Sequence, residues 1–229
     1  MPADPVVGDQ LALNWLTGVM AVAGGVASLA VVIFYATELD KPEPRVFGPI
    51  SDIATVVWCA LFVVFAVALG RPCLTSRGAR LLLWLTVGLS AAGAFGSLLL
   101  VVRVLPFGLA TSISVLGVLI QAGWLYAVCR AMERSSALPR RLTTYGKLMG
   151  AGVGAGVVLF AVSIPFGWLS IPQLVIMVLG LVPGLFGWLS WPVWLALLTH
   201  HLSRRPDPAS HSSSNGSGLG RRPRSSTKR

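Results

Sequence analysis

The sequence predicts an all-α membrane protein built as a bundle of about six transmembrane helices. The 229-residue chain is 55% hydrophobic and only 11% charged, whereas a soluble domain usually carries about 25% charged residues. Its apolar residues are gathered into long uncharged runs, which lack the alternation of a membrane β-strand. Because only helices and closed barrels satisfy the backbone in lipid, we expect each run to be a helix.

Each run has the roughly 20 mainly apolar residues that a helix needs to cross the hydrocarbon core. The runs cover residues 13–35, 49–69, 80–103, 109–130, 147–168 and 172–200. The last run is longer than one crossing requires, and Pro183 and Pro192 interrupt it. We expect a single kinked and tilted helix there, because either half alone is too short to cross.

The positions of Lys and Arg predict the orientation of the spans, because cytoplasmic loops are enriched in basic residues. If the N-terminus is cytoplasmic, 15 of the 18 basic residues fall on the cytoplasmic side, and only Lys41, Arg45 and Arg103 fall outside. The first span alone favours the opposite orientation, since the basic residues next to it follow it. The later loops outweigh this signal, and we expect both termini in the cytoplasm.

The composition changes abruptly at the end of the last run. Residues 203–229 contain basic clusters, Ser, Gly and Pro but almost no large apolar residue. Such a segment cannot offset the entropy of ordering, so we expect a disordered basic tail after a membrane domain of residues 1–202. Its arginines would lie near anionic lipid headgroups at the cytoplasmic face, so lipids, and not nucleic acid, are the expected partner; the alternative is that the tail is only a solvated anchor of the topology.

Small residues at four-residue spacing predict where helices approach one another, since helices in lipid associate by close packing. We expect contacts within one molecule, with a homo-oligomer as the alternative, and we expect leucine at Gly150 or Gly154 to disrupt folding. The candidate positions lie in the third, fifth and sixth spans: Gly88, Ala92, Gly96, Gly146, Gly150, Gly154, Gly180 and Gly184.

Two charged residues are placed near the external ends of neighbouring spans. Asp52 follows Pro49 at the start of the second span, and Arg103 closes the third. Asp52 is expected to cap the N-terminus of its helix, where a carboxylate meets the positive end of the dipole. The alternative is an ion pair between Asp52 and Arg103, which would lower the cost of placing charge near lipid.

Polar side chains inside a span are the natural candidates for function. Gln121 carries an amide deep in the fourth span, with Ser112 and Ser114 earlier on the same span. We expect Gln121 to hydrogen-bond a neighbouring helix; the alternative is that these residues line a substrate path.

Known catalytic arrangements are absent from the sequence. All three histidines, His200, His201 and His211, lie at or beyond the end of the last span, and no HExxH or nucleotide-binding glycine motif occurs. We therefore predict no catalytic, metal or cofactor site. The expected function is a structural or accessory role through a protein partner or lipids, and the alternative is a small transporter or substrate-binding component near Gln121.

Two segments carry a resemblance to a known group of proteins. GPISDIATVVWCALFVVFAVAL (residues 48–69) and ERSSALPRRLTTYGKLMGAGVG (residues 133–154) resemble segments of bacterial, mainly actinobacterial, six-span membrane proteins to which no activity is assigned. The two segments cover less than a quarter of the chain. The resemblance implies six spans and a bacterial cytoplasmic membrane, and it implies no chemistry.

Overall fold

The computed structural model describes residues 10–38, 46–163 and 170–203. These residues form six α-helices and no β-strand. The helices are α1 (Gln10–Thr37), α2 (Phe47–Cys73), α3 (Arg77–Val101), α4 (Phe107–Arg134), α5 (Arg140–Ser163) and α6 (Ile171–Ser203). Each is long and apolar enough to cross a membrane. The chain is therefore a multi-pass, all-α membrane protein, and the predicted fold class is confirmed.

The helix ends differ most from the predicted spans at the start of α5. α5 begins at Arg140, well before the predicted residue 147, so that Arg141 and Lys147 lie on its first turns instead of in a loop. α6 continues through Pro183 and Pro192 as one helix. The predicted end of the fifth span, at residue 168, lies outside the described residues. So does the predicted disordered tail, apart from Ser203 at the end of α6.

The helices form a closed ring. Each packs against its neighbours in the chain, and α1 also packs against α6. At this closing seam, Thr199 Oγ1 donates to Thr17 Oγ1 and Trp188 Nε1 donates to Ser28 Oγ, each at a distance of 2.7 Å. The α2–α3 and α4–α5 turns lie at one end of the ring, which we call the basic end. Its basic residues are Arg71, Arg77, Arg80, Arg130, Arg134, Arg140, Arg141 and Lys147.

The two halves of the ring are filled differently. Toward the basic end the interior holds large aromatic side chains, and Phe62 packs edge to face on Trp124 at 5.3 Å and on Trp191 at 5.8 Å between ring centroids. Toward the opposite end most buried side chains are small. They include Ala27, Ser28, Ala30, Ala54, Ser90, Gly93, Ser97 and Ala110. Aromatic packing therefore holds the basic half, and close backbone approach holds the other half.

Glycines on two sides of α5 allow the closest helix contacts. A Cβ at Gly150 would stand 2.6 Å from the Ala122 carbonyl oxygen of α4. A Cβ at Gly156 would stand 2.6 Å from Gly184 Cα and 2.8 Å from the Gly180 oxygen of α6. These distances are well below the ordinary carbon contact of about 3.5–4.0 Å, so α5 meets α4 and α6 through bare backbone.

Gly146 and Gly96 also face neighbouring helices, at different distances. A Cβ at Gly146 would overlap the Cys129 sulfur of α4, whereas one at Gly96 would stand 3.9 Å from the Ile113 side chain, an ordinary contact. Gly152 belongs to the same α5 side as Gly156 and would meet the Pro183 carbonyl oxygen at 2.7 Å.

The packing expectation is wrong at three positions. No atom lies within 4 Å of where a Cβ would stand on Gly88 or Gly154, and Ala92 is exposed on the side of α3 that faces away from the bundle. Four-residue spacing marks a stripe of small residues but does not say whether that stripe faces a helix or lipid. Leucine at Gly154 is therefore not expected to disrupt folding, whereas leucine at Gly150 still is.

The start of α2 corrects both expectations for Asp52. α2 begins at Phe47, so Asp52 is half-buried in the second turn and does not cap the helix. Glu38 at the end of α1 takes that role, since its carboxylate accepts from the backbone N–H of Val46 at 3.1 Å and of Phe47 at 2.9 Å. Between Asp52 and Arg103, both of which the structure describes, no ion pair forms. Arg103 lies exposed in the turn after α3.

Two helices end in the same way without the usual glycine. Arg103 after α3 and Ser136 after α4 have φ values of 59° and 54°. After α4, the N–H of Ala137 donates to the Met132 oxygen at 3.0 Å and the N–H of Ser136 to the Glu133 oxygen at 3.2 Å. This is the Schellman pattern, in which a residue in the left-handed region satisfies the last carbonyls of a helix.

Candidate functional site

Gln121 is the polar centre of the described helices. It lies on α4 with 2% of its surface exposed. Its Nε2 donates to Ser90 Oγ of α3 at 2.9 Å, and its Oε1 accepts a long contact of 3.5 Å from Trp58 Nε1 of α2. One amide therefore joins three helices, and both ends of the amide have partners within the protein.

Aromatic rings close off this amide from the basic end. Trp58 lies 5.6 Å from Trp191 and 5.9 Å from Phe62 between ring centroids. The indole N–H groups of Trp124 and Trp191 are buried with no hydrogen-bond partner among the described residues. Edge-to-face aromatic contacts, and not hydrogen bonds, therefore hold these two indoles in the interior.

Ser112 and Ser114 do not join Gln121. Ser112 is exposed, and its hydroxyl donates to the Gly108 carbonyl oxygen of its own helix at 2.9 Å. Ser114 is half-buried two turns before Gln121 on α4. The three residues grouped from the sequence therefore do not converge on one site, and the partners of the amide are Ser90 and Trp58 instead.

The sequence carries only a weak signal for these partners. Ser90 and Trp58 lie near the middle of their spans, at a depth similar to that of Gln121. Depth alone does not give the side of a helix on which a residue lies. The spans are apolar on nearly all sides, so no polar stripe identifies the inward face.

A second polar region lies at the basic end, between α4 and α5. Glu133 accepts from Lys147 Nζ at 2.5 Å and lies 4.0 Å from Arg140 Nε. Together with Ser136 and Leu138, Glu133 and Arg140 line an open depression of about 460 Å³. The Glu133 carboxylate therefore interacts with basic side chains on the α5 side of α4.

On the other side of α4, a cleft of about 390 Å³ opens toward the α2–α3 turn. Residues 73–76 form one wall, and Arg130 and Arg134 stand on the other. Arg71 is directed elsewhere, since its guanidinium lies 5.6 Å from the centre of the Trp84 ring. The cleft is therefore basic along its α4 wall.

The arrangement of ionisable groups does not offer a metal centre: within residues 10–38, 46–163 and 170–203, no three His, Cys, Asp or Glu side chains come together.

No protein-family model, no curated protein and no solved structure matches this chain. The function must therefore be argued from the sealed amide and the basic cleft.

Proposed function

We propose that this protein is an accessory component of a bacterial cytoplasmic membrane, with both termini inside, and that it acts through surface contacts with lipids or a protein partner. It carries no solute across the bilayer. The observation that supports this proposal is the buried Gln121 amide, because Ser90 and Trp58 take up its hydrogen bonds.

A transport site needs polar groups that a solute can reach and that have hydrogen bonds to spare. The Gln121 amide is out of reach of a solute, since it is 2% exposed, and each of its two ends already has a partner in the protein. Aromatic side chains fill the ring between this amide and the basic end. The outer surface, by contrast, carries many exposed apolar side chains on every helix, which suits contact with lipid or with another spanning helix.

Thiol labelling tests whether water reaches this region. Cys59 is buried and faces the Gln121 amide, whereas Cys73 lies partly exposed in the basic cleft. Two variants would be compared in phosphatidylcholine nanodiscs, one keeping Cys59 alone (Cys73→Ala with Cys129→Ala) and one keeping Cys73 alone (Cys59→Ala with Cys129→Ala). A charged methanethiosulfonate reagent is expected to modify Cys73 at least 100-fold faster, as a rough order of magnitude for a dry site.

Labelling in sodium dodecyl sulfate controls for intrinsic reactivity, since both thiols should react there at similar rates. Modification of Cys59 within about tenfold of the Cys73 rate would overturn the proposal. It would favour a water-filled path and hence the small-transporter alternative with its site near Gln121.

A further inference from the structure

The cleft at the basic end combines two cations with polar and apolar walls. Arg130 and Arg134 are one helical turn apart on α4 and are both exposed. Like charges at this spacing repel each other. An anion held between the two side chains would relieve that repulsion.

The protein does not supply this anion among its described residues. Glu133 is the acidic side chain of this end in the part of the chain that the structure describes, and it is engaged by Lys147 and Arg140. Neither Arg130 nor Arg134 forms an ion pair with any described carboxylate. Glu133 is paired with Lys147 and Arg140 and acts on Arg130 only at longer range, so the cleft keeps a net positive charge.

The opposite wall of the cleft carries hydroxyl groups that can donate hydrogen bonds to the oxygen atoms of an anion. Thr75 and Ser76 are exposed in the α2–α3 turn, and Ser76 Oγ accepts from the Ala79 N–H at 3.2 Å as the cap of α3. The first turn of α3 adds the positive end of its dipole to this wall. An anion in the cleft would thus meet arginines on one side and hydroxyl donors on the other.

The depth of the cleft points to a lipid as the source of the anion. α2 ends at Cys73 and α4 at Arg134, so the cleft lies where spanning helices leave the hydrocarbon and phosphate headgroups begin. Leu74, Ala79 and Ala127 give it an apolar floor that could contact the glycerol and upper acyl chain. Free phosphate would gain nothing from that floor.

We propose that this cleft binds the phosphate group of an anionic membrane lipid between Arg130 and Arg134 and the Thr75–Ser76 turn. This proposal rests on the accessory role proposed above, for which it supplies a lipid partner. The two proposals can fail separately, because Cys59 labelling tests the accessory role and lipid binding tests the cleft.

Native mass spectrometry of the full chain in detergent tests the site with three probes: phosphatidylglycerol, phosphatidylcholine and inorganic phosphate. The test variant is Arg130→Gln with Arg134→Gln. The control is Arg80→Gln with Arg141→Gln, which removes the same charge from exposed positions of the same end outside the cleft. Loss of one basic residue near a headgroup weakens binding about fivefold, so the test variant should bind the first phosphatidylglycerol about 25-fold more weakly.

The control variant should change this affinity by less than about twofold, and phosphatidylcholine should bind the wild type no better than the test variant. In nanodiscs, phosphatidylglycerol should also slow maleimide labelling of Cys73, which lines the cleft. That protection should be lost in the test variant but kept in the control. Monodisperse elution of both variants shows that each is folded.

Three results would overturn the proposal. Equal losses in test and control variants would mean diffuse charge attraction without a site. An unchanged affinity in the test variant would mean that the two arginines do not hold the lipid. Protection of Cys73 by inorganic phosphate as strong as that by phosphatidylglycerol would remove the lipid assignment.

Discussion

A matched pair of alanine substitutions on α5 tests the packing of the ring. Gly156 and Gly154 lie on the same helix and receive the same added methyl group. At Gly156 that group would stand 2.6 Å from Gly184 Cα and 2.8 Å from the Gly180 oxygen, whereas at Gly154 no atom lies within 4 Å. Because both obstructing groups are backbone, rotation of a side chain cannot relieve the overlap.

The expected magnitudes follow from these distances. An ordinary contact needs about 3.5–4.0 Å, so α5 and α6 would have to separate by roughly 1 Å around Gly156. Overpacking of this kind costs about 1–3 kcal/mol. Alanine in an open helical position instead stabilises by up to about 1 kcal/mol. Because both positions gain this helix propensity equally, we expect Gly156→Ala to be less stable than Gly154→Ala by about 1–3 kcal/mol.

The free energy of unfolding would be measured in mixed micelles by circular dichroism during titration with sodium dodecyl sulfate. Gly156→Ala should shift the midpoint down, and Gly154→Ala should leave it unchanged or raise it. If the unfolding midpoints of both variants shift equally, or if Gly154→Ala is the less stable variant, the assignment of the α5 faces is wrong.

Three further tests, two of them with a control substitution, probe other parts of the fold by the same measurement. Glu38→Ala should cost about 0.5–2 kcal/mol through loss of the α2 cap, whereas Asp52→Ala should stay within about 0.5 kcal/mol; the reverse order would refute the observed cap. Ser136→Gly should stabilise by up to about 1 kcal/mol because its φ is 54°, and Ser135→Gly, at φ −87°, should not. Gln121→Leu should cost about 1 kcal/mol, and no loss would mean that its hydrogen bonds contribute nothing.

The spans could be predicted from the sequence because lipid leaves the backbone few choices. A long uncharged run satisfies its N–H and C=O groups only as a helix, so run length and composition determine the helices. The continuous α6 follows in the same way, since either side of Pro183 is too short to cross alone. The helix ends were less predictable, because α5 extends past the apolar run to Arg140.

The side of each helix that faces the ring could not be predicted. Gly154 and Gly156 are indistinguishable by spacing, yet only Gly156 meets a neighbouring backbone. In a soluble helix a polar face marks the outside, but here both lipid and protein interior are apolar. For the same reason, nothing in the sequence singled out Ser90 and Trp58 as the partners of Gln121.

The cap of α2 was missed because it comes from another helix. Local patterns place a cap within a few residues of the first turn, and Asp52 met that pattern. The carboxylate that is used belongs to Glu38, across the α1–α2 connection. A cap supplied from outside the helix is a tertiary contact, and tertiary contacts depend on the arrangement of the whole bundle.

The seam between α1 and α6 has a consequence for biogenesis. Its hydrogen bonds join Thr17 to Thr199 and Ser28 to Trp188, so α1 obtains these partners only once α6 has been made. Until α6 enters the bilayer, the hydroxyl of Ser28 lacks its hydrogen bond with Trp188. The ring therefore closes only after α6 has entered the bilayer, and a chain cut short before α6 would expose an unfinished edge to the quality-control machinery of the membrane.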